Sequence, residues 1–315
     1  MGMLYDGIPI SVFMDGFMKH LKTDEYRASL AVLSAGVLWG TSCLFVRKMS
    51  ALGMTSSMQT AFKMILTGAF YWIFLLATDR KKLKIRLRDC WIFAGAGIFS
   101  MSVFTFLHYY TLIHGQASVT IALIYTSPVF VMLLSAMIFG ERISREKFIA
   151  VILAVLGCAL TAGIFSDEYR TPVVIALMSI FAGFAYSTYS IFAKVATGKY
   201  APVTMTAYTF LFAAICTIPF GHLPEAVHLM AKEPFLIALC LGKSLLTSAI
   251  PFFLFTWGIS KIEAGKAAIF AAMDPLVSCI FGIIVFGEAA NPSKLAGIFC
   301  ILLSVIILNF YKSPK

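Results

Sequence analysis

The stretch from Pro128 to Arg142, PVFVMLLSAMIFGER, decides the fold because it returns later in the chain from Pro275 to Ala289 as PLVSCIFGIIVFGEA. The two stretches are offset by 147 residues, and both contain a proline, an apolar run and a Gly-Glu pair in one register. The same offset pairs Gly36 with Gly183, Thr41 with Thr188, Phe45 with Phe192, Gly95 with Gly242, and Phe106 with Phe253. A single offset that holds along the whole chain indicates a duplicated unit without net insertion.

Composition places the chain in a lipid bilayer. Hydrophobic residues make up 60% and charged residues 13% of the 315 residues, which is too apolar for a water-soluble domain. A helix needs roughly 17 to 25 mostly apolar residues to cross the hydrocarbon. Ten such segments begin near Ser29, Ser57, Trp91, Ala117, Phe148, Pro172, Val203, Pro234, Ala264 and Pro292. Runs such as Ile149 to Leu160 lack the alternation of a membrane barrel, so the predicted fold class is all-α.

The duplication and the segment count together predict the domain organisation. Residues 29–165 form a first five-helix repeat and residues 172–312 a second. Because five is an odd number, the repeats must cross the bilayer in opposite senses, and inverted repeats are typical of secondary transporters. Residues 1–28 form a cytoplasmic segment in which Ile8 to Leu21 either lie on the membrane surface as an amphipathic helix or belong to a solvated tail.

The net charge of +10 predicts the orientation of the chain. With a cytoplasmic N-terminus, 18 of the 25 Lys and Arg residues fall inside, five fall outside, and Lys63 and Lys243 lie within spans. This distribution obeys the positive-inside rule and places both termini in the cytoplasm. The basic run from Arg80 to Arg88 is then a loop beside anionic headgroups, and we expect no nucleic-acid partner.

Several chemistries have no signature in the sequence. The seven cysteines contain no CxxC pair, which argues against a disulfide framework and a metal site. The chain lacks the GxxxxGK[ST] loop of a nucleotide-driven pump and the HExxH and GxSxG motifs of hydrolases. We therefore expect no enzymatic activity, no cofactor and no metal, and transport driven by gradients.

Three ionisable residues lie inside predicted spans: Lys63 in the second, Lys243 in the eighth and Asp274 in the ninth. A Lys or Asp at a helix centre costs roughly 2.5 to 3.5 kcal/mol, so these side chains should face the bundle interior or a wet cavity. In one interpretation, Asp274 pairs with one lysine as a buried strut while the other lysine snorkels. In the other, all three line a cavity for an anionic or zwitterionic solute. His108 in the third span either relays protons or hydrogen-bonds a neighbouring helix.

Prolines mark matching places in the two repeats. Pro128 and Pro275 lie near the midpoints of the fourth and ninth spans. Proline cannot donate a hydrogen bond to the carbonyl four residues earlier, so we expect unpaired oxygens on Ile124 and Ala271 at mid-membrane depth. Those oxygens are candidate substrate ligands, and the two prolines are candidate hinges.

Aromatic residues gather in the spans that carry these polar groups. Trp39 and Tyr186 match at the repeat offset, and Tyr189 follows one helical turn after Tyr186. A buried indole or phenol needs a hydrogen-bond partner, which makes these three residues candidates for lining a substrate cavity. Ordinary helix packing is the alternative.

Two glutamates follow a glycine at the C-terminal end of a span, Glu141 in the first repeat and Glu288 in the second. A carboxylate there opposes the negative end of its own helix dipole and requires a nearby cation. The cations that can serve Glu141 are Arg142, Arg145 and Lys147. Lys294 is the basic residue nearest to Glu288. We interpret both glutamates as gate or loop-fixing residues, with a solvated loop position as the alternative.

These features together resemble the drug/metabolite transporter superfamily, specifically its ten-span EamA-type permeases, over residues 29–310. The motifs that carry the resemblance are Trp39 with the small polar residues after it, Pro128 with Gly140-Glu141-Arg142, and Pro275 with Gly287-Glu288. Lys63 stands where the family usually has an arginine, and lysine keeps the charge but lacks the planar fork. The resemblance implies transport of amino acids or other small metabolites, commonly outward, and a bacterial cytoplasmic membrane as the location.

The leading hypothesis is a secondary carrier that exports a small polar or amphipathic metabolite, such as an amino acid, by alternating access. The alternative is a facilitative exchanger or channel for an anionic metabolite, although the spans contain no charged ring and no TVGYG-like filter. The expected partners are the solute, the lipid bilayer and a coupling proton carried by Asp274 or a buried lysine. The sequence leaves the oligomeric state open.

Overall fold

The computed structural model describes residues 24–114, 123–162, 172–287 and 292–310. Every regular element in these ranges is a helix, which confirms the all-α fold class. The first helix of the described ranges is Asp24–Gly40. The predicted amphipathic stretch from Ile8 to Leu21 therefore lies outside the described residues.

The helices follow the apolar segments of the sequence, and several segments are divided by a turn or a change in helix type. In chain order the α-helices are α1 Asp24–Gly40, α2 Ser42–Ala51, α3 Ser56–Thr78, α4 Cys90–Ala94, α5 Phe104–His114, α6 Ser127–Phe139, α7 Arg145–Ala162, α8 Val173–Thr197, α9 Pro202–Thr217, α10 Leu223–Lys232, α11 Phe235–Ser244, α12 Ile250–Ile259, α13 Ala264–Phe270, α14 Met273–Phe286 and α15 Pro292–Phe310. A π-helical stretch, Gly95–Val103, joins α4 to α5, and a second one, Leu245–Ala249, joins α11 to α12.

Within the described ranges, seven helical stretches are long and apolar enough to cross a membrane: Asp24–Ala51, Ser56–Thr78, Leu87–His108, Val173–Thr197, Pro202–Phe220, Phe235–Ile259 and Ala264–Val285. Two shorter apolar helices are Ser127–Phe139 and Pro292–Ile307. The helix α7 opens with three charged residues, and residues 115–122 ahead of α6 are not described. Ten spans therefore remain a prediction.

The two repeats share local features at the 147-residue offset. Gly140 ends α6 with a φ of 68°, and Gly287 ends α14 with a φ of 66°. Glycine has no Cβ, so it adopts this left-handed conformation readily and is the usual residue just beyond a helix end. The π-helical stretches also occupy equivalent positions, because each interrupts the helix that begins near Trp91 or Phe235. A π-helical turn is rare and often marks a functional site.

Equivalent helices of the two repeats pack against each other, α3 against α9 and α7 against α15. Both pairs are antiparallel. The hydroxyl of Ser293, at the start of α15, donates to the carbonyl of Leu160, near the end of α7, at 3.3 Å. The hydroxyl of Thr204, at the start of α9, donates to the carbonyl of Lys82, which follows the end of α3, at 2.8 Å.

Polar contacts join the loops at the face where α1 begins, which we call the N-terminal face. The ammonium of Lys199 lies 2.8 Å from the carboxylate of Asp89, and that of Lys266 lies 3.2 Å from Glu25. The opposite face carries a separate apolar cluster that includes Met49, Met54, Met58, Met230 and Cys240. The two faces are thus held by interactions of different chemistry.

We predict that Gly157→Ala destabilises the protein by roughly 1 to 3 kcal/mol, the usual cost of overpacking a close-packed contact. A Cβ atom at Gly157 in α7 would lie 2.8 Å from the carbonyl oxygen of Gly297 and 3.0 Å from the backbone nitrogen of Ile301, both in α15. The measurement is the thermal unfolding midpoint in detergent. The matched control is Gly198→Ala, where the nearest atom lies at 3.4 Å. Equal midpoints for both variants would contradict close packing of α7 on α15.

Candidate functional site

Two interruptions of the helices lie directly before the matched prolines. The chain turns at residues 125–126 before α6 and at residues 271–272 between α13 and α14. Pro128 lies in the first turn of α6, and Pro275 is the third residue of α14. Proline at the start of a helix costs little, because its missing N–H would have no partner there. The sequence therefore ends one helical piece and starts the next at equivalent places in the two repeats.

The carbonyl oxygens of Ala271 and Ile124, which were expected to be unpaired near these prolines, have different surroundings. The oxygen of Ala271 accepts a hydrogen bond from the backbone N–H of Asp274 at 3.1 Å, so the expectation of an unpaired oxygen is wrong there. The tight turn allows this bond because it brings the N–H of a residue three positions later to the oxygen. The oxygen of Ile124 packs against α8, since a Cβ atom at Gly183 would lie 2.7 Å from it.

A small cavity lies between the two interruptions. Its lining residues come from α6, α8, α12, α13 and the turn after α13: Ser127, Val131, Tyr186, Ser187, Tyr189, Ser190, Phe255, Ala268 and Ala271. The space suits about one water molecule. Three predicted site residues, Tyr186, Tyr189 and Ala271, therefore line one cavity. The serines and phenols supply it with several hydrogen-bonding groups.

The carboxylate of Asp274 lies at the start of α14 and bonds across the site. The phenol of Tyr125 donates to its Oδ2 at 2.9 Å, and the hydroxyl of Ser278 lies 3.5 Å from its Oδ1. Among the described residues, no ammonium lies within 4 Å of this carboxylate. The predicted strut between Asp274 and a lysine is therefore wrong, because Tyr125 occupies the direct contact. The charges of Asp274 and Lys63 interact at longer range.

The two lysines lie on a separate contact between α3 and the helix formed by α11 and α12. The ammonium of Lys243 donates to Oε1 of Gln59 at 2.8 Å, and Nε2 of Gln59 donates to Oγ of Ser50 at 3.0 Å and to the carbonyl of Met54 at 3.1 Å. Lys243 is buried, which contradicts the idea that it snorkels to the surface. Lys63 is partly buried, and its Nζ lies 5.6 Å from the ring centroid of Phe252.

An aromatic cluster separates Lys63 from the cavity. The ring of Phe252 lies 5.0 Å from Trp39 and 5.3 Å from Tyr189, centroid to centroid. The phenol of Tyr189 shares a hydrogen bond with Thr256 at 2.8 Å. Trp39 thus packs beside the cavity, and its buried Nε1 has no hydrogen-bond acceptor among the described residues. The cluster makes Phe252 the common neighbour of the cationic and cavity-lining groups.

An intermediate ring, that of Phe104, connects His108 to the cavity-lining Tyr186. Its imidazole stacks on Phe104 at 5.5 Å with an interplanar angle of 15°, and Phe104 lies 4.8 Å from Tyr186. The charge of Lys63 also acts on His108. These contacts place His108 beside the site, and its role as a proton relay remains a prediction.

Glu141 joins the two repeats at the N-terminal face. Its Oε1 accepts the backbone N–H of Ala264 at 2.9 Å, and its Oε2 accepts that of Gly265 at 3.4 Å. These two N–H groups open α13, so the carboxylate meets the positive end of a helix dipole. Of the three cations expected near Glu141, namely Arg142, Arg145 and Lys147, the last is engaged elsewhere, since Lys147 pairs with Glu263 and donates to the carbonyl of Arg142. Glu288 lies outside the described residues.

Sequence reasoning missed two members of this arrangement. Tyr125 was overlooked although it lies three residues before Pro128, where a hydroxyl beside a helix interruption is a usable signal. Gln59 gave a weaker signal, because a polar residue in the first turns of a span is common. The sequence did not reveal the contacts of Tyr125 and Gln59 because their partners, Asp274 and Lys243, are distant in sequence. In the described ranges no group of three or more His, Cys, Asp or Glu side chains converges as a metal site would require.

Apolar helices long enough to cross a membrane, together with two equivalent helix interruptions, are the architecture of a polytopic membrane protein. The family comparison is specific: the EamA-like transporter family matches residues 27–163 and again residues 173–310. The chain therefore belongs to the EamA-like transporter family. Members of this family are transporters rather than enzymes.

Several relatives are transporters by name. The chain is 24% identical over 285 residues to the uncharacterized transporter YwfM of Bacillus subtilis, covering 89% of this chain and 93% of that protein. It is 24% identical over 203 residues to the threonine/homoserine exporter RhtA of Escherichia coli, covering 64% and 66% of the two chains. It is 24% identical over 225 residues to a probable terminal-alkyne amino-acid exporter of Streptantibioticus cattleyicolor, covering 71% and 74%.

A solved structure supports the fold alone. A protein of known crystal structure superposes with a TM-score of 0.71 at 17% identity, covering 89% of this chain and 95% of that one. At this identity the likeness carries no information about the solute. It does indicate that the helical arrangement recurs over nearly the full length of both chains.

We predict that Glu141→Ala lowers the unfolding free energy by roughly 1 to 3 kcal/mol, since two N–H groups of α13 would lose their charged acceptor. The thermal unfolding midpoint of the detergent-solubilised protein measures the change. Glu233→Ala is the matched control, because Glu233 is an exposed glutamate at the opposite face. An unchanged midpoint for the Glu141 variant would show that this carboxylate does not hold α13 to the turn after α6.

Proposed function

We propose that the protein is a secondary transporter that exports a small polar or amphipathic metabolite, such as an amino acid, across a bacterial cytoplasmic membrane by alternating access. The cavity between the two helix interruptions carries this proposal. Discontinuous helices near the midplane are a recurrent way of building solute sites in secondary transporters, since their ends leave polar groups directed at the solute. Here those groups are supplied by Ser127, Tyr186 and the Tyr125–Asp274 hydrogen bond.

The proposed architecture has ten spans in two inverted five-helix repeats. Antiparallel packing of α3 on α9 and of α7 on α15 supports inversion, because equivalent helices of the two repeats run in opposite directions. The left-handed glycines that end α6 and α14 support the equivalence of the repeats. In this arrangement both termini lie in the cytoplasm, and the N-terminal face is the cytoplasmic one.

The transport cycle follows from the size of the cavity and the contacts around it. Solute sites usually enclose about 300 to 1,000 Å³, so a cavity of the size found here must widen when a solute enters. Opening toward the N-terminal face would separate Glu141 from α13 and Lys147 from Glu263. These polar groups can exchange their bonds for water, which makes them suitable gate contacts. Pro128 and Pro275 are the proposed hinges, and Glu288 is the proposed gate residue at the other face.

The choice of solute rests on the relatives and on the polarity of the site. Two relatives are named as exporters of amino acids, threonine and homoserine in one case. The cavity offers hydroxyl and phenol groups beside apolar side chains, a set that suits a small molecule with both polar and apolar parts. The remaining proposed ligands, Trp39, Lys63, His108 and Lys243, surround this centre rather than line it.

Counterflow provides the first test. We expect that proteoliposomes loaded with unlabelled threonine take up labelled threonine faster than empty ones, because a carrier returns more quickly with solute bound. Liposomes without protein measure leakage, and a panel of other small amino acids tests the breadth of the effect. Absence of counterflow across the panel, or unitary currents in a planar bilayer, would contradict a carrier and favour the channel alternative.

Proton coupling provides the second test. Asp274→Asn keeps an oxygen that can accept the Tyr125 hydrogen bond but removes the charge that a proton would neutralise. We expect the variant to retain counterflow and to lose the acceleration produced by an imposed pH gradient. Asp24→Asn, at an exposed position at the start of α1, is the control. Unchanged acceleration in the Asp274 variant would remove this carboxylate from the coupling mechanism.

A further inference from the structure

A buried contact between α3 and the helix formed by α11 and α12 concentrates positive charge away from the central cavity. Lys243 and Gln59 are both buried, and their side chains are hydrogen-bonded at 2.8 Å. Lys63 lies one helical turn after Gln59 on α3. Neither ammonium has a carboxylate within 4 Å among the described residues.

Such an arrangement is energetically unusual. Buried charges are ordinarily paired, because desolvation of an ammonium is compensated only by a nearby counter-charge with good geometry. The amide oxygen of Gln59 satisfies one of the three N–H donors of Lys243, yet it contributes no negative charge. Lys63, partly buried one turn further along α3, adds a second ammonium to this region. An anion bound between α3 and α11 would supply the missing counter-charge.

The surrounding groups are arranged to hold Lys243 in place. Nε2 of Gln59 is tied to Ser50 and to the carbonyl of Met54, so the oxygen of the amide is directed at the ammonium. Two hydroxyls on the same helix, those of Ser244 and Ser248, are buried and have no hydrogen-bond partner among the described residues. Unsatisfied buried hydroxyls are costly.

We propose that Lys243, positioned by Gln59 and assisted by Lys63, forms a subsite for the carboxylate of the transported solute, separate from the cavity at the helix interruptions. The inference rests on the proposed transport function and specifies its solute class as small carboxylates, including zwitterions. Phe252 lies between the two sites, with Lys63 on one side and Tyr189 on the other.

The subsite lies between the central cavity and the face opposite the N-terminal one, so a solute that leaves toward that face would pass it. Lys243 and Gln59 adjoin the apolar cluster at the face opposite the N-terminal one, since Cys240 and Met54 belong to that cluster. A carboxylate leaving the central cavity toward that face would meet positive charge behind the aromatic cluster. Gln59 is accordingly a positioning residue, and Lys243 is the residue that touches the ligand.

Ligand-dependent stability of the purified full-length protein tests the subsite without requiring transport. A ligand that binds only the folded state raises the unfolding temperature as its concentration increases. The probes are propionate and its neutral isostere propionamide, each at matched ionic strength set with chloride. We expect propionate to raise the midpoint and propionamide to leave it unchanged.

Variants identify the residues responsible. In Lys243→Met we expect the apparent affinity for propionate to fall by at least about tenfold, the usual effect of losing a hydrogen bond to a charged group. Gln59→Leu should weaken propionate binding less, and Lys243→Arg should retain part of it because the charge remains. Lys232→Met removes an exposed lysine at the same face and should bind propionate normally. Since each shift is measured against the same variant without ligand, altered stability of a variant does not obscure the result.

Equal shifts with propionate and propionamide, or a full propionate shift in Lys243→Met, would overturn the subsite. An equal shift with chloride alone would also overturn it, because the site would then not distinguish a carboxylate. None of these outcomes bears on whether the protein is a carrier, which threonine counterflow decides separately. Conversely, counterflow that persists equally with threoninamide would remove the carboxylate requirement while leaving the transport function in place.

Discussion

The structure depends on the rule that a backbone within hydrocarbon must satisfy its own hydrogen bonds. Continuous helices satisfy these bonds within each helix. At the two interruptions, residues 125–126 and 271–272, the backbone groups need other partners. At the second interruption the N–H of Asp274 bonds the oxygen of Ala271, and at the first the carbonyl of Ile124 lies against Gly183. Both interruptions are therefore enclosed by protein. The cavity, the Tyr125–Asp274 bond and the start of α14 all follow from that enclosure.

The duplicated pattern of the sequence predicted much of this framework, because short motifs impose local geometry. Glycine before glutamate predicts a helix end, and Gly140 and Gly287 both adopt the left-handed conformation. Proline predicts an interruption, and both interruptions precede a matched proline. Tyr186, Tyr189 and Ala271 line one cavity, although the two tyrosines belong to α8 and Ala271 to the turn after α13.

Partners across the bundle could not be predicted in the same way. Tyr125 and Asp274 are 149 residues apart, and Gln59 and Lys243 are 184 apart, so the rotation of each helix decides which groups meet. The sequence left open whether Asp274 pairs with a lysine or lines a cavity together with both lysines. In the structure, the phenol of Tyr125 donates to Asp274, and Lys243 donates to the amide oxygen of Gln59. Neutral groups on adjoining helices therefore occupy the hydrogen-bonding positions beside these charges. The backbone N–H groups that Glu141 binds were equally hidden, since any residue could supply them.

The antiparallel packing of equivalent helices has a further consequence. When α3 meets α9 and α7 meets α15, each repeat presents the same surface to the other, as the subunits of a two-fold homodimer do. Such a surface is self-complementary, so it needs no covalent link to specify the partner. A common ancestor could have been a single five-helix chain that assembled in pairs, and fusion of two copies would then have freed each to diverge. Arg142 in one half and Ala289 in the other record that divergence.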